Sequence, residues 1–250
     1  MKLADPCGCF PTGRHYPGIA HLIQVRAVGV AEEFDAGDAW VDLPVAFLDT
    51  ETTGTDPKVN RIIEVGIVIG RGAEVVERRN WLINPGVPIP PESTEVHQIT
   101  DEMVADKPSF GEVVGEILAV LAGKVPAAYN ASFDRAFLRN EVERCGALGN
   151  NLGGDLPPAV RSDVTWIDPL VFAREFYKGQ GESRALGAVA ERLGISLDNA
   201  HRATDDAEAA LEVLYAFSRD SRMPDTYAAL VQEQRRLGRL QQEAQRFWRK

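Results

Sequence analysis

Apolar positions form short continuous runs in the first half of the chain and helical stripes in the second half. The runs VAFLDT (45–50), RIIEVGIVIG (61–70) and EVVERRNWLI (74–83) predict three strands, which would form an antiparallel meander. KVPAAYN (124–130) predicts another strand, which leads into a helix over about residues 132–145. Strands that come first and later alternate with helices indicate an α/β fold with a sheet of mixed parallel and antiparallel order.

Helical periodicity and helix-end signals predict four further helices. They cover about residues 110–121, 183–193, 204–217 and 224–248. Gly194 follows the second of these helices and fits a C-cap glycine. The Pro-rich segment 84–92 and the Gly/Asn-rich segment 146–158 are interpreted as loops. No glycine-rich nucleotide-binding motif follows a strand, so the pattern does not support a nucleotide-binding loop.

The charge distribution divides the chain into three parts. The formal net charge of the 250 residues is −10. Residues 44–218 carry about −11, residues 1–43 carry −3, and residues 219–250 carry +4. We therefore expect an N-terminal appendage of unknown role (1–43), a central domain (44–218) and a basic C-terminal helical extension (219–250).

The acidic balance narrows the range of partners. It argues against a protein that holds duplex nucleic acid through a broad basic face, and against an anionic membrane surface as the partner. It does not exclude an enzyme whose carboxylates bind metal ions. The arginine-rich last helix, with Phe247 and Trp248, is interpreted as a solvated helix that covers part of the domain. Contact with single-stranded nucleic acid or with a partner is the alternative, because basic and aromatic side chains together suit that role.

The cysteines indicate a reducing compartment. Cys7, Cys9 and Cys145 are too few, and odd in number, for a disulfide framework, so the cytoplasm is the expected location. No run reaches the roughly 18 apolar residues of a membrane span, and the N-terminus lacks the apolar run of a signal peptide. Cys7 and Cys9 with His15 and His21 do not have the spacing of a common zinc site, so we interpret this segment as a loosely packed leader.

Three carboxylates stand where two strands end. Asp49 and Glu51 are two residues apart at the end of the first strand, so their side chains point to the same face. Two like charges placed so close are costly unless a cation lies between them. Asp134 begins a helix directly after a later strand, where the helix dipole would also favour a purely structural carboxylate.

The segment HRATDDAEAALEVL supplies a second set of candidates. Asp206 borders the buried stripe of the last helix of the domain, whereas Asp205 is turned further toward solvent and suits capping of the helix start. His201 lies on the approach loop, where it could reach a substrate. Taken alone, a histidine in such a loop is more often an ordinary surface residue.

Together these motifs resemble the DEDDh 3′→5′ exonucleases of the ribonuclease H-like superfamily, and in particular the group of proofreading epsilon subunits of bacterial DNA polymerase III and their relatives. DTETTG, NxxFD and HxAxxDA occur in that order, with about 85 and 72 residues between the carboxylates. RIIEVG, PESTEVHQITDEMVADKPSF and SRALGAVAERLGI support the resemblance, which covers about residues 45–217. It implies a ribonuclease H-like mixed β-sheet flanked by helices. Glu64, inside RIIEVG, is taken as structural.

The resemblance also implies a role for each candidate residue. Asp49, Glu51 and Asp206 would bind a first metal ion, and Asp49 with Asp134 would bind a second. His201 would be the general base, a role that suits an imidazole because its ordinary pKa lies near neutrality. The residues expected to contact the terminal nucleotide are Thr52, Thr53, Gly54, Glu92 and His97.

The implied activity is removal of nucleoside 5′-monophosphates from the 3′ end of single-stranded or frayed DNA. Two Mg²⁺ ions, with Mn²⁺ as a substitute, fit a site made of carboxylate oxygens, whereas zinc with Cys or His ligands does not. Such ions would activate the attacking water and stabilise the leaving 3′ oxygen.

Two alternatives stay open. An RNA 3′→5′ exonuclease of the oligoribonuclease or RNase T type has the same motifs, although VHQIT and KPSF favour the proofreading group. An inactive module that binds a polymerase or nucleic acid is the second, but all four acidic residues and the histidine are present. The expected partners are DNA 3′ ends, a DNA polymerase subunit bound in trans and a second copy of the chain as a homodimer, with no membrane.

Overall fold

The structure, a computed structural model, describes residues 28–146, 156–197 and 201–248. In this part of the chain a four-stranded sheet with the order β3-β2-β1-β4 lies between helices on both faces. Three strand pairs join it, two antiparallel and one parallel. The predicted mixed α/β sheet flanked by helices is therefore confirmed.

The strands begin close to where the apolar runs predicted them. β1 (Val45–Thr52), β2 (Ile62–Arg71) and β3 (Glu74–Leu82) form the antiparallel meander, and β4 (Val125–Ala127) pairs with β1 in parallel. The prediction extended the fourth strand to residue 130, but β4 ends three residues earlier. Asn130 has a φ of 67°, so the backbone leaves the extended conformation there and turns toward the next helix.

The described residues contain eight α-helices. They are α1 (Pro91–His97), α2 (Asp101–Val104), α3 (Phe110–Leu121), α4 (Ser132–Arg144), α5 (Pro169–Phe176), α6 (Leu186–Leu193), α7 (Ala203–Phe217) and α8 (Tyr227–Trp248).

Two differences between the predicted and observed helices have local causes. The Pro-rich segment 84–92 was predicted as a loop throughout, but α1 begins inside it, because Pro91 occupies the first helical position, which needs no N–H donor. Helix α6 begins three residues later than predicted, since the Ser183 hydroxyl accepts a hydrogen bond from the Ala185 N–H at 3.1 Å. Gly194 has a φ of 71° and ends α6 as predicted.

Alternate residues of β1 face two different layers of the fold. Val45 and Phe47 belong to a core shared with α5, α6, α7 and α8. Ala46 and Leu48 belong to a second core shared with α3 and α4. The carboxyl end of β1 therefore lies where side chains from both helical layers can reach it.

The residues before β1 and the last helix pack against each other. Trp40 is only 1% exposed, and its indole N–H donates a hydrogen bond to the Pro224 carbonyl at 2.7 Å. The Ala31 N–H donates to the Tyr227 hydroxyl at 3.3 Å, and Tyr227 and Leu230 are fully buried. The described part of the predicted N-terminal appendage thus belongs to the same hydrophobic core as β1, and α8 covers the domain.

Several predictions concern residues outside the described part of the chain. They are the four residues weighed as a zinc site, Cys7, Cys9, His15 and His21, and most of the predicted surface loop, residues 147–155. Within the described ranges, no helix is both long enough and apolar enough to cross a membrane.

Candidate active site

Asp49 and Glu51 occupy the carboxyl-terminal half of β1, on the face that looks toward α7. Their antiparallel partners on β2 are Gly66 and Glu64. Thr50, between them, points to the other layer. The predicted common face of Asp49 and Glu51 therefore lies directly under the start of α7.

Asp134 reaches the same end of β1 from the opposite layer. It lies in the first turn of α4, is 3% exposed, and accepts a hydrogen bond from the Thr50 hydroxyl at 2.8 Å. The turn before α4 is fixed by the Asp168 carboxylate, which accepts hydrogen bonds from the N–H groups of Asn130 at 3.0 Å and Ala131 at 3.1 Å.

Asp206 and His201 come from the beginning of α7. The His201 N–H donates to Asp206 Oδ2 at 3.2 Å, and Asp206 Oδ1 is buried with no hydrogen-bond partner among the described residues. Glu51, His201 and Asp206 each offer one ligand atom, and these atoms lie within 4.8 Å of one another. His201 is exposed and has a φ of 69°, so its backbone adopts the left-handed conformation that lets its N–H point at Asp206.

The start of α7 is capped differently from the prediction, which assigned that role to Asp205. Its N-cap residue, Arg202, makes no capping hydrogen bond through its side chain. The Ala203 N–H donates instead to Glu64 Oε2 at 3.2 Å. The first helical N–H is therefore satisfied by a residue of β2, and Asp206 satisfies the N–H of the preceding loop.

The four carboxylates repel one another. Burial raises the pKa of Asp49 well above its ordinary range, and the charges of Asp134 and Glu51 raise it further. Burial, followed by the charges of Asp206 and Glu64, raises the pKa of Glu51 to about 8. Burial also raises the pKa of Asp134 to about 7, although the hydrogen bond from Thr50 opposes this shift.

Asp206 follows the same pattern. Burial raises its pKa, and the hydrogen bond from the His201 backbone partly lowers it. A cluster in which neighbouring carboxylates make ionisation of Asp49 and Glu51 harder, with one buried Asp206 oxygen left unpartnered, has the donors and the charge that fit a hard divalent cation. The observed donor set is thus compatible with the predicted metal site.

The predicted substrate loop after β1 is held by hydrogen bonds within the loop. The Thr52 hydroxyl donates to the Gly54 carbonyl at 2.6 Å, and the Thr53 hydroxyl accepts from the Arg61 N–H at 3.0 Å. Gly54 has a φ of 156°, and a Cβ there would come within 2.7 Å of the Asn60 side chain. Both threonine side chains are buried and already engaged, so they shape the loop.

The two predicted substrate residues of α1 are placed differently. His97 is buried near β1. Its pKa is lowered, mainly by burial and to a smaller extent by the charge of His201, whereas the charge of Glu64 and the Thr52 backbone oppose this shift. Its Nδ1 accepts from the Ile99 N–H at 3.0 Å, which leaves Nε2 buried with no partner among the described residues. Glu92 lies in the first turn of α1 and is exposed.

Sequence reasoning gave no place in the site to two residues that hold its backbone: Glu64, which it took as structural, and Asp168, which it did not consider. Asp168 precedes Pro169, and an Asp-Pro pair before an apolar stripe is a signal for an N-cap, which is the position Asp168 takes by accepting from the Leu170 N–H at 3.0 Å. Glu64 had only a weak signal, a carboxylate inside an otherwise apolar strand.

A sequence model described as Exonuclease matches residues 46–214, and the chain belongs to this exonuclease family. This confirms the resemblance on which the assignment of the motifs was based.

Two relatives illustrate the match. DNA polymerase III subunit epsilon of Treponema pallidum is 33% identical over 174 residues, which cover 68% of this chain and 74% of that protein. The PolC-type DNA polymerase III of Thermotoga maritima is 36% identical over 176 residues, which cover 70% of this chain and 12% of that protein. The chain thus spans only about an eighth of the length of this PolC-type relative.

Solved structures share the fold. Exonuclease X in complex with 5′ overhanging duplex DNA superposes with a TM-score of 0.56 at 24% identity, covering 75% of this chain and 99% of that chain. A 3′-exonuclease solved for specific recognition of the 3′ end of a histone mRNA stem-loop gives a TM-score of 0.59 at 17% identity, covering 82% and 71%.

Proposed function

We propose that this chain is a metal-dependent 3′→5′ exonuclease that acts on single-stranded or frayed DNA ends and releases nucleoside 5′-monophosphates. The observation that carries the proposal is the approach of Glu51, His201 and Asp206, whose ligand atoms lie within 4.8 Å of one another, beside an unpartnered Asp206 oxygen. Asp49 lies close enough to Glu51, Asp134 and Asp206 for their charges to raise its pKa. The similarity to epsilon subunits of DNA polymerase III supports DNA as the substrate.

Each residue has a defined task in this proposal. Asp49, Glu51 and Asp206 would hold one Mg²⁺ ion, and Asp49 with Asp134 would hold a second, with Mn²⁺ able to replace either. When bound, these ions supply the charge that activates the attacking water and stabilises the leaving 3′ oxygen. His201 takes a proton from the attacking water, since its exposed ring stands beside Glu51 and Asp206.

The loop after β1 and helix α1 would receive the terminal nucleotide. Thr52, Thr53 and Gly54 would form the wall of the loop that receives the 3′ end, and His97 would offer its unpartnered Nε2. Glu92 lies in the first turn of the same helix as His97 and would contact the nucleotide from there.

The decisive experiment compares neighbouring carboxylates of α7. Asp206→Ala and Asp49→Ala are expected to abolish release of nucleotides from a 5′-labelled single strand, because each removes a metal ligand. Asp205→Asn, one residue away and outside the proposed metal site, should retain the parent rate. Asp206→Ala variants that degrade the strand as fast as the parent would sink the proposal.

His201→Gln tests the general base separately. We expect kcat to fall by about 10²–10⁴, the usual contribution of a positioned general base, while metal binding persists. Metal binding measured by calorimetry separates this outcome from the loss of a ligand. An unchanged kcat would remove His201 from the proposed chemistry.

An RNA exonuclease is the second candidate, and one observation favours it. The 3′-exonuclease that recognises the histone mRNA stem-loop shares the fold over 82% of this chain. DNA and RNA oligomers of the same sequence, incubated in Mg²⁺ with the parent chain, distinguish the two. Degradation of RNA alone would replace DNA as the substrate, and degradation of neither would favour an inactive binding module.

The partners and compartment stay predictions. A DNA polymerase subunit bound in trans is supported by the epsilon relatives, and a homodimer is checked by light scattering of the purified chain. The cytoplasm is still an expectation from the sequence, chiefly from its few cysteines.

A further inference from the structure

Glu64 is a fully buried carboxylate beside the metal site, and the proposed chemistry does not use it. It is 0% exposed, and its antiparallel partner on β1 is Glu51. A buried charge of the same sign as the site is costly unless it is paired and fully hydrogen-bonded. A residue needed only for packing at this position would be apolar, as are its neighbours Ile63 and Val65.

Two of the three partners of Glu64 belong to the start of α7, and the third, Asn80, lies on β3. Its Oε1 accepts from an Arg202 guanidinium nitrogen at 2.7 Å and from the Asn80 amide at 2.9 Å. Its Oε2 accepts from Arg202 Nε at 3.3 Å and from the Ala203 N–H at 3.2 Å. One carboxylate on β2 thus holds both the N-cap residue and the first helical residue of α7.

Arg202 and Ala203 connect the sheet to His201 and Asp206, the residues of this segment proposed to act at the site. Arg202 directly follows His201, and its carbonyl accepts the Asp206 N–H at 3.0 Å. The Arg202 guanidinium also lowers the pKa of Glu51, which places its charge near the carboxylate cluster. Movement of Arg202 would therefore shift His201 and Asp206 together relative to Glu51.

We propose that Glu64 and Arg202 form a positioning pair, which fixes the first turn of α7 so that Asp206 and His201 face Glu51 in the geometry that binds metal. Glu64 touches neither substrate nor metal in this arrangement, and acts through Arg202 and Ala203. The kinetic consequence rests on the proposed exonuclease function, whereas the metal-binding consequence does not.

Glu64→Gln in the full chain is the principal test. Glutamine keeps the shape and can still accept from the Ala203 N–H, but its amide nitrogen cannot pair with Arg202. We expect the Mn²⁺ dissociation constant, measured by calorimetry, to rise about 10-fold or more, the usual effect of losing a residue that orients a metal ligand. With the variant held saturated with metal, kcat should also fall, while KM for the oligonucleotide stays near the parent value.

Glu208→Gln is the matched control. Glu208 is on the same helix and pairs with an arginine, Arg78 of β3, but this pair is partly exposed and lies one turn beyond Asp205. Its loss should leave the Mn²⁺ affinity and kcat of the parent unchanged.

A second variant tests the same pair if the Glu64→Gln chain does not fold. The Arg202 side chain is 42% exposed, so Arg202→Gln is expected to fold and to weaken Mn²⁺ binding in the same direction, because it removes the guanidinium bonds but leaves Ala203 bound to Glu64. Arg202→Lys should restore part of the affinity, since an ammonium can still pair with Glu64.

The outcomes separate the two proposals. Folded Glu64→Gln and Arg202→Gln chains with the Mn²⁺ affinity of the parent, whether or not their melting temperatures fall, would overturn the positioning pair. A parent chain that binds Mn²⁺ but degrades neither DNA nor RNA would overturn the exonuclease, and the metal titrations of the variants would still decide the role of Glu64.

Discussion

At the scale of single residues, Glu51 shows how a cluster of buried carboxylates lowers the stability of the metal-free chain. Its pKa is raised to about 8, first by burial and then by Asp206, Glu64 and Asp134, and Arg202 opposes the shift. A carboxyl whose pKa is higher in the folded chain than in the unfolded chain binds more protons when folded. Stability from this group is therefore present at low pH and is lost as the pH rises from about 4.5 toward 8.

The metal-free chain should accordingly lose stability as the pH rises. We expect its melting temperature in EDTA to fall between about pH 5 and pH 8, the window set by the raised pKa values of Glu51 and Asp134. Mg²⁺ or Mn²⁺ competes with these protons, so the stabilisation by metal should grow with pH. A metal-induced rise in melting temperature that is equal at both ends of this range would contradict the account.

Glu51→Gln isolates one of the repelling charges. At pH 8 and without metal, the variant should melt above the parent by about 2–4 °C, the shift that about 1 kcal/mol gives in a chain of this size. The same variant should lose most of the stabilisation by metal, because it lacks a ligand. Glu74→Gln, which removes an exposed carboxylate of β3, should change neither value.

The sequence was sufficient to locate the carboxylates and the histidine proposed to carry the chemistry, and insufficient to find the residues proposed to position them. Asp49, Glu51, Asp134, Asp206 and His201 stand in short motifs with characteristic spacing. The structure brings ligand atoms of Glu51, His201 and Asp206 within 4.8 Å of one another, and the charges of the other three carboxylates raise the pKa of Asp49. Glu64 could not be assigned in this way. Its role depends on hydrogen bonds to residues 138 and 139 positions away, which no local pattern records.

At the scale of elements, helix α7 lies against two glycines of β2. A Cβ on Gly66 would come within 2.3 Å of the Ala203 and Thr204 backbone, a distance that backbone atoms cannot relieve without moving the helix. A Cβ on Gly70 would meet the ends of the Tyr215 and Leu211 side chains at 2.5 and 2.7 Å. Because Gly66 has no Cβ, the end of α7 that carries Asp206 can lie directly on the sheet. Gly70 in the same way leaves room for the side chains of Leu211 and Tyr215 further along the helix.

Gly66→Ala and Gly70→Ala should therefore separate metal binding from stability. Overpacking of a core costs about 1–3 kcal/mol, so both variants should melt below the parent. Only Gly66→Ala should also weaken Mn²⁺ binding, because only there is the obstacle the backbone next to the site. Calorimetric titration of the two folded variants checks this, and equal losses of Mn²⁺ affinity in both would refute it.

The elements themselves were predictable to different degrees. β1, β2, β3, α3 and α4 follow local periodicity and start within a residue of their predicted positions. α1 and α2 have seven and four residues, too few to show a helical period, and the prolines before them were interpreted as a loop. β4 was predicted too long, because its end is set by Asn130 and by the neighbouring segment at Ile167.

At the scale of the whole molecule, the basic tail packs on the acidic domain, although their different net charges suggested two separate parts. Four arginines of the tail, Arg222, Arg235, Arg236 and Arg239, border a surface cavity of about 570 Å³. Arg222 pairs with Asp220 and Arg236 with Glu233, so two of these four arginines are already paired within the tail. Its apolar side is buried in the core that also holds Trp40 and β1.

Loss of α8 should therefore damage the fold itself. A chain that stops after residue 226 exposes Trp40 and the core residues that Tyr227 and Leu230 now cover. We expect it to aggregate or to melt far below the parent, so truncation cannot report on nucleic-acid contact. Normal cooperative melting of the truncated chain would show that α8 is dispensable for folding.

A charge variant tests whether the tail binds nucleic acid and leaves the core intact. In Arg236→Gln/Arg239→Gln both side chains are exposed, so the fold should be retained. If both arginines neutralised phosphates of a single strand, the logarithmic salt dependence of binding would flatten by about 1.4, at about 0.7 for each phosphate. Because Arg236 is already paired with Glu233, and α8 packs through its apolar side, we expect the slope of the parent to persist. Fluorescence anisotropy of a labelled oligonucleotide over a salt series measures the slope, and a flattening near the full amount would assign the tail to substrate binding instead.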